Sequence, residues 1–466
     1  MKAKEASIFS LLKQAILGTE LNFTEGSINR AIFLLSVPMI IEMGMESIFA
    51  VVDIYYVSRL NDNNAVTAVG LTELSLTIIY SIAMGVSMGA TALVSRRVGE
   101  KDEKGASIAG VQAIYIGIFF AALFTIVGII WSGDILRLFG GDENVIAVGT
   151  GYTRWMLCGN ITIVMLFLIN GIFRGAGNAA IAMKTLVLAN LLNIILDPVF
   201  IFGFGPIPAM GVEGAAVATN IGRGIGVLLQ LYYLFFGNSV VKINAKNMPL
   251  KWSIVGTMLR VSAGATGQFL ISSASWMVLG RIIAKFGTPA VAGYTFGIRV
   301  IIFTLLPSFG MANAAATLVG QNLGAGQPER AETSVWKAGL YNMIFLGLVM
   351  ALFLFYAESI LKIFTEDIAV IAYGKEALQV VALGYIFYGY GMVVNQSFNG
   401  AGDTVTPTLI SLFGFWFFQI PLAYLLALYW EMGTTGVYAA IAIAESAMAI
   451  AGIIIFRRGK WKTVKL

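Results

Sequence analysis

Histidine is absent from this 466-residue chain, and cysteine occurs once, at Cys158. A lone cysteine excludes an intramolecular disulfide, and with no histidine the usual transition-metal sites have lost their commonest ligand. Charge is scarce too: Asp, Glu, Lys and Arg make up 12% of the residues, against about a quarter in a soluble domain. What fills the space is apolar, 58% of the chain, together with 52 glycines. Long apolar runs recur over the whole length, each sufficient for the ~20 residues that cross a bilayer. The composition therefore describes a polytopic membrane protein rather than a set of soluble domains. The first apolar run starts near Ala31, continues to Val57 and lacks a small-residue cleavage site, so it is expected to be retained rather than removed as a signal. The lack of a targeting segment fits a prokaryotic inner membrane.

Apolar runs between charged or Gly/Pro breaks fall at 31–58, 65–95, 107–131, 145–172, 178–203, 210–236, 252–284, 289–320, 333–356, 370–398, 404–430 and 433–456. These predict an all-α fold of twelve transmembrane helices. Lys and Arg concentrate on one side of that series: "SRRVGEKDEKG" after the second run, Lys242, Lys246 and Lys251 after the sixth, and "RRGKWKTVK" after the twelfth. With Lys2, Lys4, Lys13 and Arg30, the positive-inside rule puts both termini in the cytoplasm. The net charge of +5 thus reads as membrane orientation, and no nucleic-acid partner is expected.

The chain also repeats itself at a separation of 225 residues. "DILRLFGGDENVIAVG" from Asp134 lies over "SILKIFTEDIAVIAYG" from Ser359, and "NGIFRGAGN" from Asn170 lies over "NQSFNGAGD" from Asn395 without a gap. Two six-helix bundles related by duplication follow, and an even number of helices per copy leaves both in the same orientation. The expected organisation is a cytoplasmic segment at 1–30, an N-lobe at 31–236, a cytoplasmic linker at 237–251, a C-lobe at 252–456 and a basic tail at 457–466.

Acids inside such helices demand a reason, because an ionised carboxylate at the bilayer centre costs roughly 3 kcal/mol even on insertion-based scales. The stretch "PMIIEMGMESIFAVVDIYY" carries Glu42, Glu46 and Asp53, whose spacings of four and seven residues put all three on one helical face. Glu42 and Asp53 are about 16 Å apart along the axis, so the three line a cavity at successive depths rather than form one cage. Asn190, Asn193 and Asp197 share a face of the fifth span in the same way. In the second copy, Phe418 and Leu422 stand where the first has Asn193 and Asp197, so the acidic site belongs to the first half. Two aspartates and an asparagine form a hard oxygen environment, suited to Na⁺ or to a proton exchanged between carboxylates. The structural alternative is ion pairing, with Arg154, Arg223 or Arg299 as counter-ions. Glu73 and Glu445 stand isolated and read as structural.

Several of these segments carry a resemblance. "VVDIYYVSRL", "FRGAGNAAIAMKTLVLANLLNIILDPVFIFGFG", "GVEGAAVATNIG" and "FNGAGDTVTPT" make the chain, from Ala31 to Arg458, resemble the multidrug and toxic compound extrusion (MATE) family, most closely its DinF-type branch. The resemblance implies a V-shaped pair of six-helix bundles that exports amphipathic, often cationic compounds in exchange for H⁺ or Na⁺ by alternating access. It further implies that Asp53, Asn193, Asp197 and Thr219 form the N-lobe site for the coupling ion, with no other cofactor. Glu42, Glu46 and Asn190 are left as candidates for the substrate cavity. The NorM-type branch also uses acids in the seventh and tenth spans, where this chain offers Gln268 and Asn395.

Two other readings stand beside export. A flippase for lipid-linked precursors shares this broad superfamily, and it calls for more basic residues in the central cavity than this chain has. A membrane-embedded hydrolase or transferase also uses paired carboxylates, but no nucleophile motif or metal-ligand cluster accompanies them. "GAGN" and "GAGD" lack the preceding strand and the lysine of a phosphate loop, so they read as tight turns. The partners expected are small amphipathic or cationic substrates and the lipid bilayer, and the chain is expected to act as a monomer.

Overall fold

The computed structural model describes residues 8–18, 23–237, 239–244, 246 and 248–466. Lys2 and Lys4 of the expected N-terminal segment, and Asn238, Ala245 and Asn247 of the expected linker, lie outside the described residues. The described chain is helical: α1 Ile8–Leu17, α2 Ile28–Ser58, α3 Asn63–Gly99, α4 Glu103–Leu138, α5 Glu143–Cys158, α6 Asn160–Gly175, α7 Ala179–Phe202, α8 Val212–Phe236, α9 Trp252–Ile283, α10 Thr288–Gly324, α11 Pro328–Leu361, α12 Ile368–Ala382, α13 Tyr385–Ala401, α14 Val405–Ser411, α15 Ile420–Tyr424 and α16 Gly433–Arg457.

All twelve apolar runs of the sequence are helical. Among the described residues ten helical segments are long and apolar enough to cross a bilayer, and the pair α12–α13, bent by 60°, makes an eleventh. The remaining run is α8, whose 25 residues include Glu213 and Arg223. Not every span is a straight rod. The fourth is α5 and α6 with a break at Gly159, the tenth turns sharply at Leu383–Gly384, and the eleventh holds two π-helical stretches, Leu412–Gln419 and Leu425–Tyr429, on either side of α15. Pro421 in α15 cannot donate a backbone hydrogen bond, which loosens the ladder between those stretches.

Acidic residues at the helix starts do local work. Asp62 accepts from the amides of Asn64 and Ala65, Asp102 from Gly105, Asp142 from Val145, and Asp367 from Ala369 and Val370. Each satisfies amides that the first turn leaves without a partner. Asp142 and Asp367 occupy equivalent places in the two copies, so the duplication reaches down to the cap. The "GAGN" and "GAGD" turns repeat likewise, with φ +82° at Gly177 and +89° at Gly402, a conformation glycine adopts without a Cβ clash.

The chain divides into two compact units. Unit 1 comprises residues 1–22 and 41–266, and unit 2 comprises 23–40 and 267–466, so the division runs through α2 and α9. Within unit 1, a Cβ on Gly85 of α3 would sit 2.8 Å from the Ser262 carbonyl oxygen and the Thr266 nitrogen of α9. Within unit 2, a Cβ on Gly310 of α10 would sit 2.7 Å from the Met39 carbonyl oxygen and the Ile40 nitrogen of α2. Gly85 and Gly310 are also 225 residues apart. In each unit, then, a glycine at the same place in the repeat admits the backbone of the other copy's first helix, the small-residue packing that membrane helices rely on.

The centre of unit 1 is α6, in which every residue from Ile163 to Gly175 is buried. It is held to α3 by Ser87 Oγ donating to the Phe167 carbonyl at 2.7 Å and Thr91 Oγ1 donating to the Gly171 carbonyl at 2.9 Å. Faces pointing away from the bundles are apolar, as Phe119 and Ile129 of α4 and Leu348 and Phe355 of α11 illustrate.

Candidate functional site

Unit 1 gathers its polar side chains into a column running along α2 between α6, α7 and α8. At one end is Glu42, fully buried. Its Oε1 accepts from Asn170 Nδ2 at 2.9 Å and from the Arg174 guanidinium at 3.1 Å. Arg174 also donates to Ser87 Oγ at 2.9 Å, and Gln230 donates to Asn170 Oδ1 at 2.6 Å. One helical turn on, Glu46 pairs with Arg223 at 3.1 Å. Arg223 is 1% exposed, donates to the Tyr80 hydroxyl at 2.9 Å, and lies over the Phe49 ring at 4.6 Å. Both glutamates therefore have a guanidinium partner, which compensates their removal from water.

Farther along the column are the residues expected at the ion site. Asn193 and Asp197 of α7 lie one turn apart, and Asn193 Nδ2 donates to Asp197 Oδ1 at 3.0 Å and to Thr219 Oγ1 of α8 at 3.2 Å. Asp197 is fully buried and Asp53 is 7% exposed. The two are near enough for their charges to act on one another. Neither has an arginine or lysine in hydrogen-bonded contact among the described residues. Three buried oxygens, Asp53 Oδ1, Asn193 Oδ1 and Asp197 Oδ2, lack a hydrogen-bond donor. Asn190 stands apart from this group: its Nδ2 donates to the Met45 carbonyl at 2.9 Å.

The structure thus joins Asn193, Asp197 and Thr219 directly, sets Asp53 within electrostatic reach, and directs Glu42 and Glu46 to separate arginines. Of the three counter-ions named from sequence, Arg223 is the one paired with a candidate acid. Arg174, Asn170, Gln230, Ser87 and Tyr80 went unnamed as site residues. The signal for two of them was present, since Asn170 and Arg174 both lie in the repeated segment "NGIFRGAGN".

The donor set fits a hard cation or a shared proton. The atoms without a donor are all oxygens, and two of the three belong to carboxylates. Asp53, Asn193, Asp197 and Thr219 are the side chains that would hold Na⁺, whose charge would take the place of the missing donors.

The fold and this site define a class, a duplicated all-helical membrane transporter rather than an enzyme. The family model MatE matches the chain twice, over residues 38–199 and again over 265–425, and the chain belongs to that family. Among curated relatives, a probable multidrug resistance protein NorM from Thermotoga maritima is 26% identical over 436 residues, covering 93% of both chains. The multidrug export protein MepA of Staphylococcus aureus is 24% identical over 434 residues, 93% of this chain and 94% of that one. Among solved structures, a MATE protein described in its straight conformation superposes with a TM-score of 0.89 at 27% identity, covering 96% of this chain and 99% of that one. A transporter from Pyrococcus furiosus, reported with a binding pocket of reversed polarity and a suggested different function, superposes equally well, at TM-score 0.89 and 27% identity over 96% of this chain and 99% of that one.

Proposed function

We propose that this transporter exports amphipathic, mainly cationic compounds by alternating access, coupled to inward movement of H⁺ or Na⁺ through unit 1. The observation that carries the reading is the group of buried oxygens on Asp53, Asn193 and Asp197 that has no donor. In such a site a proton or Na⁺ stabilises the arrangement that encloses it, and substrate stabilises the other. Coupling is then the difference in affinity between the two states. The names of the curated relatives, multidrug resistance and multidrug export, support the export of drugs in this reading. An ion site confined to unit 1 agrees with the DinF-type branch. Arg174 and Arg223 bear on the flippase alternative: each is bonded to a glutamate, which leaves neither free for an anionic headgroup. The chain is read as a monomer in a prokaryotic inner membrane with both termini in the cytoplasm, needing neither a cofactor beyond its coupling ion nor a nucleic-acid partner.

Asp53→Asn is expected to abolish coupled export while the protein still folds and inserts. The measurement is uptake of a cationic dye in proteoliposomes under an imposed Na⁺ gradient and, separately, an imposed pH gradient. Full transport by the variant under either gradient overturns the assignment, and the wild-type response identifies the ion.

A further inference from the structure

In unit 1 two glycines press the fifth and sixth spans together. A Cβ on Gly222 of α8 would sit 2.7 Å from the Ala189 carbonyl oxygen of α7, and a Cβ on Gly226 would sit 3.2 Å from the Ala189 Cβ. The second copy has Ala447 and Ala451 at those places, 225 residues on. Their methyl groups keep a facing backbone at a greater distance than glycine does. The facing span is irregular as well, since α14 runs into the π-helical stretch Leu412–Gln419.

Between the eleventh and twelfth spans unit 2 accordingly has a groove of about 580 Å³, a volume within the range of small-molecule sites. Ala447 and Ala451 line it from α16, and Phe413 and Phe418, both exposed, line it from the π-helical stretch. One end is basic. Arg458 and Lys460 line the groove where α16 finishes, and both are exposed. Neither takes part in an ion pair among the described residues, whereas Lys462 is held by Glu329 and Glu332. Asp403, just before α14, is occupied in accepting from the Thr406 amide and hydroxyl. The turn that carries Lys460 is fixed in place. Gly459 has φ +73°, and the buried Trp461 stacks on Phe456 at 4.4 Å while donating to its carbonyl at 2.9 Å. The first copy has Tyr233 and Phe235 where the second has Arg458 and Lys460, so the charge is as particular to unit 2 as the groove.

An apolar trough with two unpaired cations at one end, on helices that cross a bilayer, matches a molecule with an acyl chain and an anionic head. A lipophilic cation meets the wrong charge there, and a zwitterionic lipid brings a cation of its own. We propose that this groove binds one acidic phospholipid, held rather than transported. An acyl chain lies against the alanines and the phenylalanine rings, and the phosphate rests on Arg458 and Lys460. The lipid fills the gap that the lost glycines leave beside the irregular eleventh span. This inference is independent of the export reading.

The test uses the purified full-length protein in nanodiscs of phosphatidylcholine with a trace of phosphatidylglycerol carrying a diazirine on one acyl chain. Photolabelling of the wild type, mapped by peptide mass spectrometry, is expected within 405–418 and 447–458. Unlabelled phosphatidylglycerol is expected to suppress it, and excess phosphatidylcholine or inorganic phosphate is not. That arm needs no variant to fold. Replacing Arg458 and Lys460 together by glutamine is expected to lower the labelling about tenfold. Ala451→Phe, which fills the trough and keeps both cations, is expected to lower it as well. Phosphatidylglycerol is also expected to raise the wild-type melting temperature above its value in phosphatidylcholine alone, and the difference should vanish in the double variant. Labelling spread evenly over the other spans, equal competition by phosphatidylcholine, or wild-type labelling in the double variant overturns the site. Suppression by inorganic phosphate overturns the lipid as its occupant.

Discussion

The two copies of the repeat solve the same packing problem with different chemistry. In unit 1 Glu42 is bonded to Arg174. At the matching places in unit 2, if the repeat is shifted by one residue within the first span so that Glu42 lies over Gln268 instead of Gly267, Gln268 and Asn399 exchange amide hydrogen bonds of 2.9 and 3.1 Å. A charged pair in one copy is a neutral pair in the other. The Glu46–Arg223 pair has Met448 where Arg223 would fall, and Asn193 and Asp197 have Phe418 and Leu422, which lie in or beside the π-helical part of the eleventh span. Charge is therefore not required to hold a six-helix bundle of this design together. Its concentration in unit 1 is the asymmetry on which the proposed ion coupling rests.

The sharpest way to break the comparison is to remove one partner of the buried pair. Arg174→Met leaves Glu42 buried and without its cation, at a cost of about 3–5 kcal/mol, and is expected to yield little folded protein by gel filtration after mild heating. Rebuilding the unit 2 solution with Glu42→Gln and Arg174→Asn together is expected to recover most of that loss. A double variant no better than the single one means that the equivalence does not hold.

Gly85→Val and Gly310→Val test the reciprocal close approaches. Each places atoms where backbone already lies, and each is expected to lower thermal stability by about 1–3 kcal/mol. The effects should be similar, and a large difference breaks the symmetry. Smaller still are the caps: Asp142→Ala and Asp367→Ala are each expected to cost about 1 kcal/mol, read as matched shifts in melting temperature.

The smallest effect lies outside the membrane, in a feature with no counterpart in unit 1. Lys462 sits 2.8 Å from Glu329 and 2.6 Å from Glu332, whose hydrogen bonds, that of Glu329 foremost, hold its ammonium above the ordinary lysine value. A raised folded value stabilises fully below the unfolded pKa of about 10.4 and is lost as pH rises through the folded one. Lys462→Met should therefore cost less than about 1 kcal/mol near neutrality, and its melting difference from wild type should vanish in strong alkali.

Much of the candidate site in unit 1 was legible in the sequence, because its signal is local and contrastive. Asn193 and Asp197 are one helical turn apart, and the repeat supplies an apolar control at 418 and 422. Their link to Thr219 rested on the family resemblance, and the hydrogen bond from Asn193 now gives it a geometry. The partners of Glu42 and Glu46 were harder to see, since Arg174 and Arg223 lie more than a hundred residues along the chain and any of several arginines was an equal match on paper.

By itself the sequence determined that this chain spans a membrane, that it does so as helices, and that it does so twice over. Lipid cannot satisfy a free amide or a lone charge, so every crossing segment must carry its apolar character and its backbone hydrogen bonds within its own twenty-odd residues. Only the tertiary structure decided which acids meet an arginine and which do not. Ion pairing depends on which helices become neighbours, and that depends on how small residues such as Gly85 and Gly310 let backbones approach, not on the charge pattern of any single span.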